Sequence, residues 1–357
     1  MKSAKATFTD RDRLSYDASW LLRQTVVNTS TDPHRPGLTL PAMGCGTWAW
    51  GNRLLWGYTP DMDEQLQAVF DHCVSHGVTL FDTGDSYGTG RLNGRSETLL
   101  GQFANHYQGD NRDQICLATK LAAYPWRLTR GAMINACIAS SRRFGRGVDL
   151  AQLHWSTANY APWQEGTLLD GLADLYEQHQ VRGVGLSNFG PKRLRKIYPQ
   201  FRDRGVPITT LQVQYSLLST YPVTQLGIQA VCDELGIRLI AYSPLALGLL
   251  TGKYQIGSTL PSGLRGVLFR QLLPGVKPIL DTVEAIALFR EKTMAQVALN
   301  WCICKGFIPI PGAKTLAQAQ QNTGALGWQL DAGEVLELDN AVNRSDKQMV
   351  QNIFQTR

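Results

Sequence analysis

The stretch FDTGDSYG, residues 81–88, decides the fold. It follows Val78-Thr79-Leu80, and the apolar run through Phe81 reads as a short buried strand. Gly84, Gly88 and Gly90 end that strand and begin a loop. Asp82 therefore stands at a strand end, with Tyr87 five residues on in the loop, where an acid and a phenol can face one pocket. Asp, Ser and Gly are also ordinary turn residues. The meaning of the stretch depends on what the neighbouring strands carry.

Outward from it the chain alternates with a regular beat. A first strand and loop is expected at Gly44-Cys45-Gly46-Thr47-Trp48, and further apolar, β-rich runs at 79–82, 115–121, 148–155, 181–187, 209–215, 237–243 and 307–310. Helical spacing of apolar residues is found between them, as at Leu66, Val69, Phe70 and Cys73 within 63–76. Similar patterns occupy 129–142, 166–179, 191–201, 224–235, 278–289, 293–304 and 316–326. The units start roughly 30 residues apart, as a βα repeat requires. Eight such units are most economically a single (β/α)8 TIM barrel of class α/β, with an open doubly wound sheet as the competitor. The barrel is assigned to residues 37–330, an N-terminal extension to 1–36, and a C-terminal helix (333–342) and tail to 331–357. The Gly- and Pro-rich run 252–274 interrupts the beat as a long loop able to act as a lid.

The bulk composition narrows the function. The chain has 357 residues, 43% hydrophobic and 18% charged, with a net charge of +6. This mild basic excess suits a phosphorylated cofactor, while the lack of a dense Lys/Arg block interleaved with aromatics gives nucleic-acid binding no support. No apolar run approaches the ~18 residues of a membrane span. The N-terminus lacks a signal-peptide core, and Asp10, Asp12 and Asp17 argue against a transit peptide. Seven scattered cysteines, odd in number and mostly in apolar runs, fit a reducing, cytoplasmic location. Neither the cysteines nor the six histidines cluster with metal-ligand spacing, and no metal is expected.

In a (β/α)8 barrel, chemistry sits where strands meet the loops that follow them. Read that way, the second strand supplies Asp82 and Tyr87, the third Lys120, the fourth His154, the fifth Ser187 and Asn188, the sixth Gln212, and the seventh Tyr242 and Ser243. A lysine in an apolar strand is costly to bury without a partner, and Asp82 is the obvious one. The ammonium so held would favour the Tyr87 phenolate, lowering its pKa from about 10. Tyr87 could then pass a proton to a carbonyl oxygen, with His154 orienting that carbonyl or assisting the proton transfer. Each residue alone also has a structural reading: Asp82 in a turn, Lys120 reaching solvent, His154 hydrogen-bonded in the core.

The segments FDTGDSYG, LATK, DLAQLHW, VRGVGLSNFG, LQVQYSLL, AYSPLALGLLTGKY and IPIPGAK, in order across 43–322, resemble the aldo-keto reductase family. The resemblance implies a catalytic tetrad of Asp82, Tyr87, Lys120 and His154, and an NADPH/NADP+ cofactor bound without a Rossmann fold. Consistently, no strand here is followed by GxGxxG. It implies further that Thr47, Trp48 and Asp82 lie against the cofactor and that Ser187, Asn188 and Gln212 hold the nicotinamide carboxamide. Tyr242 would stack under that ring, while Ser243, Leu245 and Gly248 wrap the pyrophosphate. Gly312, Lys314, Gln318, Gln321 and Asn322 would meet the adenosine phosphate, Lys314 as a point charge on the 2′-phosphate. Trp48, Trp50, Tyr87 and Trp155 are expected around the substrate. Trp155 is the least secure, since it alternates with His154 on a regular strand. Specificity is expected from the loops 49–60, 122–127 and 252–274.

The expected activity is reduction of an aldehyde or ketone to the alcohol, by a monomer or weak homo-oligomer whose partner is a small carbonyl compound. Two alternatives stand beside it. One is the reverse reaction, as a sugar or alcohol dehydrogenase. The other is a regulatory, cofactor-sensing subunit of a membrane channel.

Overall fold

The computed structural model describes residues 25–27, 37–257, 259–350 and 352–357. Apart from 25–27, the expected extension at 1–36, with its turn-rich run 28–33, lies outside the described residues. Strand β1 (Thr25–Val27) pairs antiparallel with β2 (Leu38–Leu40), Val26 opposite Thr39. Among the described residues, eight parallel strands then follow in sequence order. They are β3 (Cys45–Gly46), β4 (Leu80–Gly84), β5 (Cys116–Leu121), β6 (Leu150–Leu153), β7 (Gly183–Ser187), β8 (Ile208–Gln214), β9 (Arg238–Tyr242) and β10 (Ile308–Pro309). The Gly44 and Gly46 N–H groups donate to the carbonyls of Pro309 (3.0 Å) and Pro311 (3.1 Å), which brings β3 against β10 and closes the barrel.

The surrounding helices are α1 (Arg53–Trp56), α2 (Asp63–Ser75), α3 (Arg95–His106), α4 (Arg130–Phe144), α5 (Pro162–Glu177), α6 (Pro191–Arg202), α7 (Tyr221–Thr224) and α8 (Ile228–Leu235). There follow α9 (Gly263–Leu272), α10 (Lys277–Phe289), α11 (Met294–Cys304), α12 (Leu316–Thr323) and α13 (Ala332–Asn343). Their ends are set by local chemistry. Thr129 caps α4 by accepting from the Ala132 N–H, and left-handed Gly145 stops it. Thr293 and Gln296 form a reciprocal capping box on α11, and α5 and α6 each begin with proline.

Besides the single-turn α1 and α7, two helices are not legible as such in the sequence. Helix α3 turns Leu99, Leu100, Phe103 and Ala104 inward, but Ser96 and Glu97 are equally buried. Glu97 accepts from the Thr119 hydroxyl and from Arg143, each at 2.5 Å. Inward polar residues blur the 3.6-residue pattern that marks a helix. Helix α9 corrects the reading of 252–274 as a loop without structure. Gly266 is not a flexible link there: a Cβ on it would lie 1.9 Å from the Pro261 carbonyl, so only glycine permits that approach.

The barrel interior explains where function sits. Side chains alternate along each strand, so residues two apart share the inner face. At one end the inner layer is apolar: Leu80, Ala118, Leu150, Ile240 and Ile308 pack together, plugged by Leu38 and Leu40 of β2. Two residues further on, at the carboxyl ends of the same strands, stand Asp82, Lys120, Gln152 and Tyr242. The plug end supports stability, and the polar layer above it forms the floor of the site.

Candidate active site

Strand register assembles the polar layer. Gly84 pairs with Lys120 and Lys120 with Gln152, which puts the inward side chains of β4, β5 and β6 side by side. Gly185 on β7 makes room, because a Cβ there would lie 2.3 Å from the Thr210 hydroxyl and 3.0 Å from Gln152 Cγ. Asp82 and Lys120 are each 2% exposed and form an ion pair between Asp82 Oδ1 and Lys120 Nζ. Two amides complete the carboxylate: Gln152 Nε2 donates to Asp82 Oδ2 at 2.8 Å and Gln212 Nε2 at 3.0 Å. Lys120 Nζ lies 5.0 Å from the Tyr87 ring centre, and the His154 ring packs edge-on against Tyr87 at 5.8 Å.

The electrostatics follow from burial and these neighbours. Burial works against the Lys120 ammonium, but Asp82 and then Tyr87 outweigh it and its pKa is raised. The Tyr87 phenol is also pushed up, first by burial, and the attraction of Lys120 only partly offsets this. This corrects the expectation of a lowered Tyr87 pKa: the sequence places a cation beside the phenol but does not show how far both are removed from water. Tyr87 keeps its proton at neutral pH. His154 is pushed well below the usual histidine range by burial and then by Lys120. It is a neutral imidazole, and among the described residues its Nδ1 has no partner.

These groups open into a cavity of about 1170 Å³. Its lining contains each residue expected around cofactor or substrate except one. Trp50 is the correction: it is fully buried, donates from Nε1 to the Ala313 carbonyl at 2.9 Å and packs on Phe103. It belongs to the core beneath the loop. Trp155 reaches the cavity because β6 ends at Leu153, so the alternation that would turn it away from His154 no longer applies. Thr47 lines the cavity with its hydroxyl committed to the Asp82 carbonyl at 3.1 Å. Lining residues Asn188, Ser243 and Leu247 hold left-handed backbone, a conformation costly for side-chain-bearing residues and typical of binding sites.

Two further groups of residues shape the site, and of these only Lys314 is expected from the sequence. Gln152 is one member of the first, an amide in an apolar strand that lies buried beneath the cavity and that only the register carries to Asp82. Asn352 and Phe354 are the others, brought in by the tail, with Phe354 stacked on Trp155 at 4.8 Å. The second group is cationic. Lys253, Arg265 and Lys314 line the cavity far along the chain from the tetrad, and among the described residues none has an ion-pair partner. Arg265 sits 5.2 Å over the Trp56 ring, and Lys314 Nζ donates to the Trp56 carbonyl at 2.9 Å. Burial lowers the Lys314 pKa, followed by repulsion from Arg265 and Lys253. A lone acid, Asp82, lies in the lining and it is already paired. A cluster of cations with no ion-pair partner among the described residues, Arg265 and Lys314 half-buried and Lys253 exposed, is suited to a polyanion such as a nucleotide phosphate. Among the described residues no group of three His, Cys, Asp or Glu could hold a metal ion, and no helix is long and apolar enough to cross a membrane.

Comparison with known proteins places this geometry in context. The model of the aldo/keto reductase family matches residues 42–343. The chain is 56% identical over 323 residues to the chloroplastic pyridoxal reductase of Arabidopsis thaliana, covering 90% of this chain and 88% of the relative. A solved aldo/keto reductase from Klebsiella pneumoniae, in complex with NADP and acetate, is 26% identical with a TM-score of 0.66, covering 88% of this chain and 95% of that one. The glycerol dehydrogenase AKR11B4 of Gluconobacter oxydans shares the fold at 23% identity and a TM-score of 0.74, covering 89% of this chain and 96% of that one.

Proposed function

We propose that this chain, which belongs to the aldo/keto reductase family, is an NADP(H)-dependent enzyme that reduces the aldehyde of pyridoxal to the alcohol. The observation that carries the carbonyl chemistry is the buried Asp82–Lys120 pair set beside a protonated Tyr87. When bound, a reduced nicotinamide supplies hydride to the carbonyl carbon. Tyr87 gives its proton to the carbonyl oxygen, and Lys120 stabilises the phenolate left behind. Neutral His154 directs the oxygen as a hydrogen-bond donor. Asp82 fixes the ammonium and is itself fixed by Gln152 and Gln212.

Ser187, Asn188, Gln212 and Tyr242 would hold the nicotinamide end. Lys253, Arg265 and Lys314 would meet the phosphates, Lys314 at the 2′-phosphate. Pyridoxal is supported by the identity to the Arabidopsis enzyme and by the flat aromatic surfaces of Trp48, Trp155 and Phe354 in the lining. Reducing compartments keep thiols free, and all seven cysteines are free, six of them buried. We assign the protein to the cytoplasm on this ground, as a monomer or weak homo-oligomer, although the Arabidopsis relative is named chloroplastic.

The test is loss of NADPH absorbance with pyridoxal as substrate, beside a panel of aldehydes, sugars and quinones. Pyridoxal should give the highest kcat/KM, and its failure to be turned over would overturn the substrate assignment. Cofactor choice is tested separately by fluorescence titration. Lys314→Ala and Arg265→Ala should each weaken NADPH by roughly 1–3 kcal/mol, as for loss of a charge-assisted contact. Lys314→Ala should leave NADH nearly unchanged. Equal losses for both cofactors would make Lys314 a structural residue.

A further inference from the structure

The C-terminal tail returns across the mouth of the barrel and is stitched to it. The Met349 N–H donates to the Leu218 carbonyl (2.7 Å), Gln214 Nε2 to the Val350 carbonyl (3.3 Å), and the Thr356 N–H to the Asn188 carbonyl (3.0 Å). The Gly190 N–H donates to Thr356 Oγ1 at 2.9 Å, and a Cβ on Gly190 would lie 2.2 Å from the Thr356 carbonyl oxygen. Thr356 is buried as a result. This seating brings Asn352 to the hydroxyl of Tyr242.

We propose that Asn352 is a positioning residue for the nicotinamide end of the cofactor site, acting through the Tyr242 hydroxyl to fix the orientation of the Asn188 amide. The proposal rests on the assignment of Asn188 and Tyr242 to that end. Its strength lies in the direction of the hydrogen bonds. The Phe354 backbone N–H donates to Asn352 Oδ1 at 2.9 Å, so Asn352 must turn Nδ2 toward Tyr242, 2.9 Å away. With its oxygen accepting there, the phenol has one proton to give, and it goes to Asn188 Oδ1 at 2.8 Å. Asn188 is left with Nδ2, which donates to Ser187 Oγ at 3.0 Å and approaches the His154 carbonyl at 3.4 Å.

The chain starts at a backbone donor and ends beside a backbone acceptor, so it cannot run in reverse. Burial raises the Tyr242 pKa, which keeps the proton the relay needs. The outcome is complementary to a primary carboxamide. Asn188 presents its Nδ2 edge, whose weaker contact, to the His154 carbonyl at 3.4 Å, a carboxamide oxygen can replace, while Gln212, whose Nε2 is engaged by Asp82 and Gln152, presents Oε1.

The experiment is a double-mutant cycle between Asn352 and Tyr242. Asn352→Leu removes the relay, and isosteric Asn352→Asp keeps the Phe354 contact while offering Tyr242 an acceptor, so the tail stays seated. Two readouts are followed: the side-chain amide signals of Asn188 in 15N-asparagine-labelled protein without cofactor, identified with Asn188→Ala, and the NADPH dissociation constant by fluorescence. Either Asn352 variant should shift the Asn188 amide signals and weaken NADPH about fivefold, the size of one hydrogen bond. In a Tyr242→Phe background neither should add a further change. Unmoved Asn188 signals, or losses of equal size in both backgrounds, would overturn the relay. Full NADPH affinity in Asn188→Ala would instead overturn the nicotinamide assignment beneath it.

Discussion

Tyr87→Phe is expected to lower carbonyl reduction by about two orders of magnitude or more while leaving NADPH binding intact. The substitution keeps the ring, and with it the edge contact to His154 and the place over Lys120 Nζ. What it removes is the proton. Tyr87 is the sole group of the tetrad that holds a transferable proton at neutral pH without giving up a buried charge, because His154 is neutral and Lys120 is bound to Asp82. Steady-state reduction beside a fluorescence titration of NADPH checks both halves. Near-normal turnover would remove Tyr87 from the chemistry.

The second large effect is expected from Lys120→Met. Methionine has similar length and no charge, so it fills the space without a large cavity. Lys120 is the strongest influence lowering the Tyr87 pKa, and its loss leaves burial unopposed. Reduction should collapse, and alcohol oxidation, which needs the phenolate, should recover only at more alkaline pH than in the wild type. Asp82 keeps its two amide donors but loses its counter-charge. Breaking one side of a buried pair costs roughly 3–5 kcal/mol, so the single variant should melt early. Adding Asp82→Asn should restore melting without restoring catalysis. A Lys120→Met protein that melts early but turns over normally per folded molecule would make the lysine a structural partner only.

The sequence shows much of this, for identifiable reasons. Eight strands are visible because short, fully buried strands such as CLATKL are apolar on both faces, and the one charged residue within it advertises a partner. Asp82, Tyr87, Lys120 and His154 can be singled out as candidates because strand ends are a small set of positions, and they line one cavity. Helix α3 is obscured by buried Ser96 and Glu97, and α9 by Gly266, which serves close packing against Pro261. Gln152, Arg265 and Asn352 carry no local mark, since each joins the site through register, an insertion helix or the returning tail. Trp50 and Trp155 exchange their expected standings for a similar reason: a core contact to Ala313 and the end of β6 at Leu153 are tertiary facts. The direction of the Tyr87 shift is hidden because neighbours can be read from a pattern and depth cannot.

The pH dependence of both directions in the wild type tests most directly whether Tyr87, and not His154, carries the proton. A phenol is an acid below its pKa and a base above it. Tyr87 is pushed above the ordinary value of about 10. Reduction should therefore stay level through the neutral range and fall only when strongly alkaline, while oxidation rises over that same interval. A reduction rate that falls as pH rises through about 6–7, where an unperturbed histidine loses its proton, would assign the acid to His154 and contradict the account.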